Sequence, residues 1–276
     1  MFSEIINNVR KNTPLVHNIT NYVTVNDCAN ILLACGGSPI MADDIDEVEE
    51  IVSISSALVI NIGTLNSRTV DSMIKAGKKA NELNIPVILD PVGTGASKLR
   101  TDTAFRLLDE VKFSVVRGNM SEIKALSKSN VNESRGVDAN VADSINDGNL
   151  VEAVKYINSL SHKLSMVVAV TGAIDIVADG KKTYVIRNGH PIMSKISGTG
   201  CMLSSTIGAY CGANKNNIID VTAAAVCAMG LCGELAYEKI RKNDEGTSLL
   251  KSHLIDYMSK MDATVLKEGA KFEIKQ

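Results

Sequence analysis

The sequence predicts an α/β fold, with a mostly parallel central sheet, helices on both faces and an antiparallel edge. Three observations carry this. Short runs such as Ala57-Leu58-Val59-Ile60-Asn61, Pro86-Val87-Ile88-Leu89-Asp90 and Met166-Val167-Val168-Ala169-Val170-Thr171 are apolar without alternation. Strands of that kind are covered on both faces, as in a parallel sheet between helices. Amphipathic helical stretches separate them, and strand–helix repetition builds α/β layers. Finally, Asp179-Gly180-Lys181 lies between two apolar runs, a hairpin signal that reverses the chain at one edge.

The elements follow in order. Residues 4–12 suit a short surface helix. The stretch 14–26 is rich in amides and hydroxyls and has no charge, so it is a loop or the wall of a polar pocket. A helix over 27–34 ends at Gly36-Gly37. Ser38-Pro39-Ile40-Met41 begins as an extended piece and gives way to acids. Residues 44–52 form a helix with acids at its start, as the macrodipole favours. Strands at 57–61, 86–90, 113–117 and 166–171 then alternate with helices at 66–83, 104–111, 121–126 and 150–161. The hairpin strands are 174–178 and 182–186. A glycine turn at 195–201 leads into 202–210, apolar on nearly every face, which reads as a buried helix. Helices over 221–239 and 249–261 follow. Residues 127–148, polar and without a large apolar run, form a surface excursion rather than a linker, because strands continue on both sides. The chain, 1–276, is therefore one domain.

Composition narrows the function. An apolar fraction of 45% and a charged fraction of 22% fit a globular protein. Aromatics are 4% with no tryptophan, so the core is built from Ile, Val, Leu, Ala and Met. A net charge of −2 argues against nucleic acid, which requires a basic face. No apolar run of the roughly 18–20 residues of a membrane helix is expected. The start, Met1-Phe2-Ser3-Glu4-Ile5, lacks a signal-peptide pattern. The six cysteines show neither Cys-x-x-Cys spacing nor a histidine at zinc-ligand spacing. The expectation is a reduced, cytoplasmic protein with neither nucleic-acid nor membrane partner.

Ligands of parallel α/β sheets sit beyond the carboxyl ends of the strands. The segments there, 61–64, 90–96, 117–119, 171–173 and 197–201, are all polar and glycine-bearing. In Lys195-Ile196-Ser197-Gly198-Thr199-Gly200-Cys201, the unpartnered N–H groups of Gly198, Thr199 and Gly200 can form an anion hole at a helix start. The plain alternative is a turn before a core helix. Cys201, in the first helical turn, is expected to ionise more readily than a free thiol. Asp90 either holds a hydrated magnesium ion, which takes few carboxylates plus phosphate oxygens, or caps its turn. Glu122, three residues after Asn119, either orients water on that metal or closes a helix-start cap. Arg117 ends an apolar strand and faces a nucleotide phosphate or a partner carboxylate. Thr171 with Gly172 suits a phosphate or ribose, or is an ordinary strand end. Met41 is a flexible apolar contact or simply core. The four histidines are scattered without a triad. Neither a Gly-x-x-x-x-Gly-Lys-Ser/Thr loop nor a Gly-x-Gly-x-x-Gly fingerprint after the first strand is present. What remains is phosphoryl transfer to an alcohol lying against the late anion hole, with a base at its rim.

Four stretches, Pro14-Leu15-Val16-His17-Asn18-Ile19-Thr20-Asn21, Gly37-Ser38-Pro39-Ile40-Met41-Ala42, Leu89-Asp90-Pro91-Val92-Gly93 and Gly198-Thr199-Gly200-Cys201, resemble the hydroxyethylthiazole kinase family of the ribokinase-like superfamily. The resemblance covers essentially the full length. It implies a ribokinase-like three-layer fold and ATP-dependent phosphorylation of 4-methyl-5-(2-hydroxyethyl)thiazole in thiamine salvage, with Mg2+. It also implies a homotrimer whose active sites lie between subunits. By position it implies that Met41 and Gly198 contact the thiazole and that Arg117 and Thr171 contact ATP. Asn119 to Glu122 resembles the superfamily's magnesium element, Asp90 the nearby acid and Cys201 the catalytic base. The wider superfamily has aspartate where this chain has Cys201. A thiol of pKa about 8.5 is mostly neutral at pH 7, so either the helix start lowers that value or the anion hole dominates. Competing readings are a hydroxymethylpyrimidine or pyridoxal kinase, a nucleotide-dependent repair dehydratase, and a non-catalytic binding protein on the same fold. Asp90, Glu122, Arg117 and the glycine hole speak against the last.

Overall fold

The computed structural model describes residues 2–127 and 144–275. Its centre is a sheet of β1 (Leu15–Ile19), β2 (Ser38–Ile40), β3 (Ala57–Asn61), β4 (Val87–Asp90), β5 (Val115–Asn119), β6 (Val167–Thr171), β7 (Asp175–Ala178), β8 (Thr183–Ile186) and β9 (Phe272–Lys275). The strand order is β2-β1-β3-β4-β5-β6-β7-β8-β9. Pairings from β2 through β6 are parallel, and those from β6 through β9 are antiparallel.

Why the strands read as unbroken apolar runs is plain from the two cores. Along β3, Ala57 and Val59 enter one core and Leu58 and Ile60 the other. The first core is closed by α1 (Phe2–Asn12), α2 (Val25–Cys35), α8 (Thr199–Ala213), α9 (Ile218–Asn243), α10 (Thr247–Lys260) and α11 (Ala263–Gly269). The second is closed by α3 (Val48–Ser53), α4 (Ser67–Glu82), α5 (Lys98–Glu110), α6 (Met120–Ser127) and α7 (Leu150–Leu164). Helix α8 is buried along Met202 to Cys211, as its apolar sequence requires. It lies directly on the sheet because Gly208 has no side chain: a Cβ there would come within 2.7 Å of Val59 and 3.0 Å of Val16.

Several elements differ from the sequence expectation. The polar stretch 14–26 conceals β1, because its polar side chains find partners inside the fold. Ser205 Oγ donates to Asn18 Oδ1 (2.9 Å), and His17 Nε2 lies 2.7 Å from the Ala42 carbonyl. Strand β9 and helix α11 were not anticipated; β9 is exposed on the outer edge, where no apolar pattern is demanded. Helix α5 begins at Lys98, earlier than expected, because Ser97 Oγ accepts from the Arg100 N–H. The acids at 44–47 form a turn ahead of α3 rather than its first helical turn. Helix α9 corrects the expectation about membrane length. It is long and apolar enough to cross a membrane, but 83% of its most apolar window is buried inside the fold. Most of the excursion read at 127–148, residues 128–143, lies outside the described residues.

Candidate active site

The site sits where the carboxyl ends of β1, β3, β4, β5 and β6 meet the start of α8. Gly198 caps that helix in the left-handed region, at φ +94°, which glycine adopts without strain. Thr24 and Asp27 back it closely. The Arg117 guanidinium lies across the first turn: a Cβ on Gly200 would be 2.5 Å from Arg117 Nη1. Arg117 Nη2 donates to Thr171 Oγ1 (2.8 Å), and Nη1 lies 3.5 Å from Asp90 Oδ1. Arg117 Nε is buried and has no partner among the described residues. The structure therefore brings Arg117, Thr171, Asp90, Thr199 and Gly200 together.

Asp90 is fully buried. Its Oδ2 accepts from Asn61 Nδ2 and Ser204 Oγ, both at 2.8 Å, so its side chain faces α8 rather than capping its own turn. Burial pushes its carboxyl up, while Arg117 and these hydrogen bonds pull it back. Half-buried Cys201 presents a sulfur that accepts from Asn21 Nδ2 and Asn61 Nδ2, each at 3.3 Å. Burial first, then the Asp90 carboxylate, pushes the Cys201 thiol up. This runs against the expectation that the thiol ionises more readily than a free one: burial outweighs the Thr24 and Asn21 hydrogen bonds and the Arg117 charge, which pull the other way.

Glu122 Oε1 accepts from the Gly93 N–H (2.8 Å) and Oε2 from the Asn119 N–H (2.9 Å), while Asn119 Oδ1 accepts from the Glu122 N–H (2.9 Å). The helix-start cap is thus formed, and it ties the loop after β4 to α6. No group of three or more His, Cys, Asp or Glu residues is poised for a metal among the described residues. A hydrated magnesium ion, gripped mainly by phosphate and water, asks little more than the outer carboxylates that Asp90 and Glu122 supply. Among the described residues, Asp90 Oδ1 meets only Arg117, at 3.5 Å, and keeps lone pairs free for that role, and each Glu122 oxygen accepts a single hydrogen bond.

A cleft of about 440 Å³ opens on the Arg117 side of α8. Arg117, Thr171, Thr199 and Gly200 line it, together with Asp175, residues 188–191 and apolar side chains of α9. Burial pushes the Asp175 carboxyl up to about 7, opposed by the Gly172 N–H and Arg117. Met41 is not brought into this cleft. It is half-buried just beyond β2 at the sheet edge.

Sequence reading missed Ser204 and Arg100. Ser204 lies four residues after Gly200, so helical spacing alone sets it on the same face. Arg100 Nη1 donates to the carbonyls of Ile62 (2.9 Å) and Val92 (2.7 Å), and Nη2 to Gly63 (2.7 Å). It thereby staples the loops after β3 and β4, a role with no local sequence signal.

A model of the hydroxyethylthiazole kinase family matches residues 6–264. The chain belongs to the hydroxyethylthiazole kinase family. A hydroxyethylthiazole kinase from Clostridium acetobutylicum is 57% identical over 273 residues, 99% of each chain. One from Clostridium tetani is 52% identical over 263 residues, 95% of this chain and 94% of that one. The structure of a hydroxyethylthiazole kinase from Pyrococcus horikoshii matches with a TM-score of 0.88 at 36% identity, covering 100% of this chain and 99% of the other. A ribokinase-like superfamily protein from Enterococcus faecalis shares the fold alone, with a TM-score of 0.61 at 14% identity over 92% and 89% of the two chains. This member of the hydroxyethylthiazole kinase family is thus a kinase with a ribokinase-like fold.

Proposed function

We propose that this chain transfers the terminal phosphoryl group of ATP to the hydroxyl of 4-methyl-5-(2-hydroxyethyl)thiazole, making its phosphate ester in thiamine biosynthesis and salvage. The observation that carries this is the Arg117 guanidinium lying across Gly200 at the start of α8, with the cleft on one side and Cys201 beside the same turn. A phosphoryl group seated there would meet the N–H groups of Gly198, Thr199 and Gly200, the helix dipole and Arg117, all of which stabilise the charge that builds up during transfer. A bound anion or ordered water would also satisfy the orphaned Arg117 Nε.

In this reading Arg117 and Thr171 hold ATP, and Gly198 with Met41 contacts the thiazole. The alcohol oxygen forms its bond to the γ-phosphorus as the bond to the ADP oxygen breaks, and the thiolate form of Cys201, the minor form at neutral pH, accepts the hydroxyl proton. Magnesium, when bound, neutralises phosphate charge; Asp90 and Glu122 would hold its water shell. Met41 lies outside the ATP cleft, and Tyr22 and Val23 are 78% and 61% exposed on the chain near Cys201's partner Asn21. Both features support a homotrimer in which a neighbouring subunit completes the thiazole side. All six cysteines are free thiols, which supports a cytoplasmic location.

Incubation with ATP, magnesium and the thiazole alcohol, with ADP release measured, tests the reading. Turnover is expected to be fastest with the thiazole alcohol. Equal or faster turnover with pyridoxal or hydroxymethylpyrimidine overturns it.

A further inference from the structure

One wall of the cleft is built around a pair of rings. His190 stacks on Tyr237 of α9, with centroids 3.6 Å apart and 13° between planes. Its Nδ1 accepts from the Ile192 N–H at 3.2 Å, which fixes the ring's orientation and puts the proton of the neutral form on Nε2. One face is covered and one edge is spent, yet the ring still lines the cleft. The polar groups around it are committed elsewhere. Asn188 Nδ2 donates to Glu234 Oε1 (3.1 Å) and the Gly269 carbonyl (2.9 Å), and its Oδ1 accepts from the Lys271 N–H (2.7 Å). The Gly189 N–H donates to Glu234 Oε1 (2.9 Å), and Ser194 Oγ to the Pro191 carbonyl (2.8 Å). The cleft lining also includes the apolar Met193, Val226 and Met229, while its other polar side chains, Arg117, Thr171, Asp175 and Thr199, belong to the strand ends and the start of α8. Met193 can lie there because Gly233 is bare; a side chain on Gly233 would collide with its sulfur.

We propose that this wall is the shelf for the base of the phosphoryl donor, which stacks on the open face of His190 and extends the Tyr237–His190 pile. The shelf grips a flat heteroaromatic ring without side-chain hydrogen bonds that read it. Stacking tolerates any base, since every base has a π-face, so GTP serves as donor alongside ATP. This rests on the cleft being the ATP site and deepens that reading.

The full chain, with magnesium and the thiazole alcohol, is assayed with ATP and with GTP as donors, and with tripolyphosphate as a base-free competitor. For the unmodified chain, the two donors are expected to have KM values within about tenfold, whereas a site that reads a base by hydrogen bonds rejects the wrong one by roughly 10⁴ or more. His190→Ala is expected to raise both KM values on the order of tenfold, leaving kcat and inhibition by tripolyphosphate unchanged. His190→Phe keeps a flat ring and is expected to keep the original KM. Because the chain has no tryptophan, His190→Trp supplies a lone indole, excited selectively over the tyrosines and expected to be quenched by ATP and GTP but not by tripolyphosphate. An unchanged KM in His190→Ala, an unquenched tryptophan, or rejection of GTP while ATP is used overturns the shelf. Failure of both ATP and tripolyphosphate to bind the unmodified chain overturns the ATP reading of the cleft instead.

Discussion

At Cys201 two effects compete for one proton. The helix start favours a thiolate, whereas burial and the nearby Asp90 carboxylate push the thiol's pKa up. A raised pKa leaves the thiol mostly protonated at rest, so on the proposed reading only its minor thiolate form takes the hydroxyl proton and the anion hole with Arg117 is expected to contribute more than the base. A carboxylate at this position would be ionised at pH 7 and would meet the same two amide donors, Asn21 and Asn61. Cys201→Asp is expected to retain or raise kcat in an ADP-release assay; complete loss of activity would remove Cys201 from the role of base. The glycine turn and Cys201 were legible in the sequence because the signal is local, a handful of consecutive residues. The grip of Asn21, Asn61 and Ser204 around them was not. It depends on how β1, β3 and α8 are set against one another, which no single stretch of chain encodes.

For α8 the decisive feature is the bare backbone at its start. In an ordinary helix, glycine to alanine gains about 1 kcal/mol. Here Gly200→Ala would drive a methyl group against the Arg117 guanidinium and displace it from Thr171 and Asp90. The expected outcome is a thermal midpoint that falls modestly, because Asp90 loses its charge partner, while the KM for ATP increases several-fold; an unchanged KM would mean that Arg117 does not hold the nucleotide. Strands β3 to β8 were legible because burial on both faces, or the Asp-Gly turn, leaves a pattern in the chain. Strand β1 escaped because its polar side chains are satisfied by distant partners. Strand β9 escaped because an exposed edge imposes no pattern at all.

Across the whole molecule, the hairpin is tied to the start of α9 by a charged cluster. Lys182 pairs with Asp220 at the start of α9, Tyr184 donates to Asp220 Oδ1 (2.7 Å) and Asn217 to Oδ2 (2.5 Å). Burial works against the charge on Asp220, but these three partners outweigh it and hold the carboxyl below its usual value. Asp220→Asn is expected to cost roughly 2 kcal/mol, less than a fully buried pair because Lys182 is partly exposed, with ADP release at 25 °C unaffected. A carboxyl whose folded pKa is depressed adds stability above the unfolded pKa of about 4, and that stability is lost as pH falls through the folded value. Urea midpoints of the variant and the unmodified chain are therefore expected to converge in acid; a constant gap would assign the loss to packing. The reversal of the sheet after β6 sets a further constraint. It lets the end of one strand and the beginning of the next, Thr171 and Asp175, serve the same cleft, with the Gly172 N–H donating to Asp175 Oδ1 at 2.8 Å. The three residues between them act as a ruler. One inserted residue would exchange Ile176 and Val177 between the two cores, so insertions and deletions should be far less tolerated in this turn than most substitutions within it.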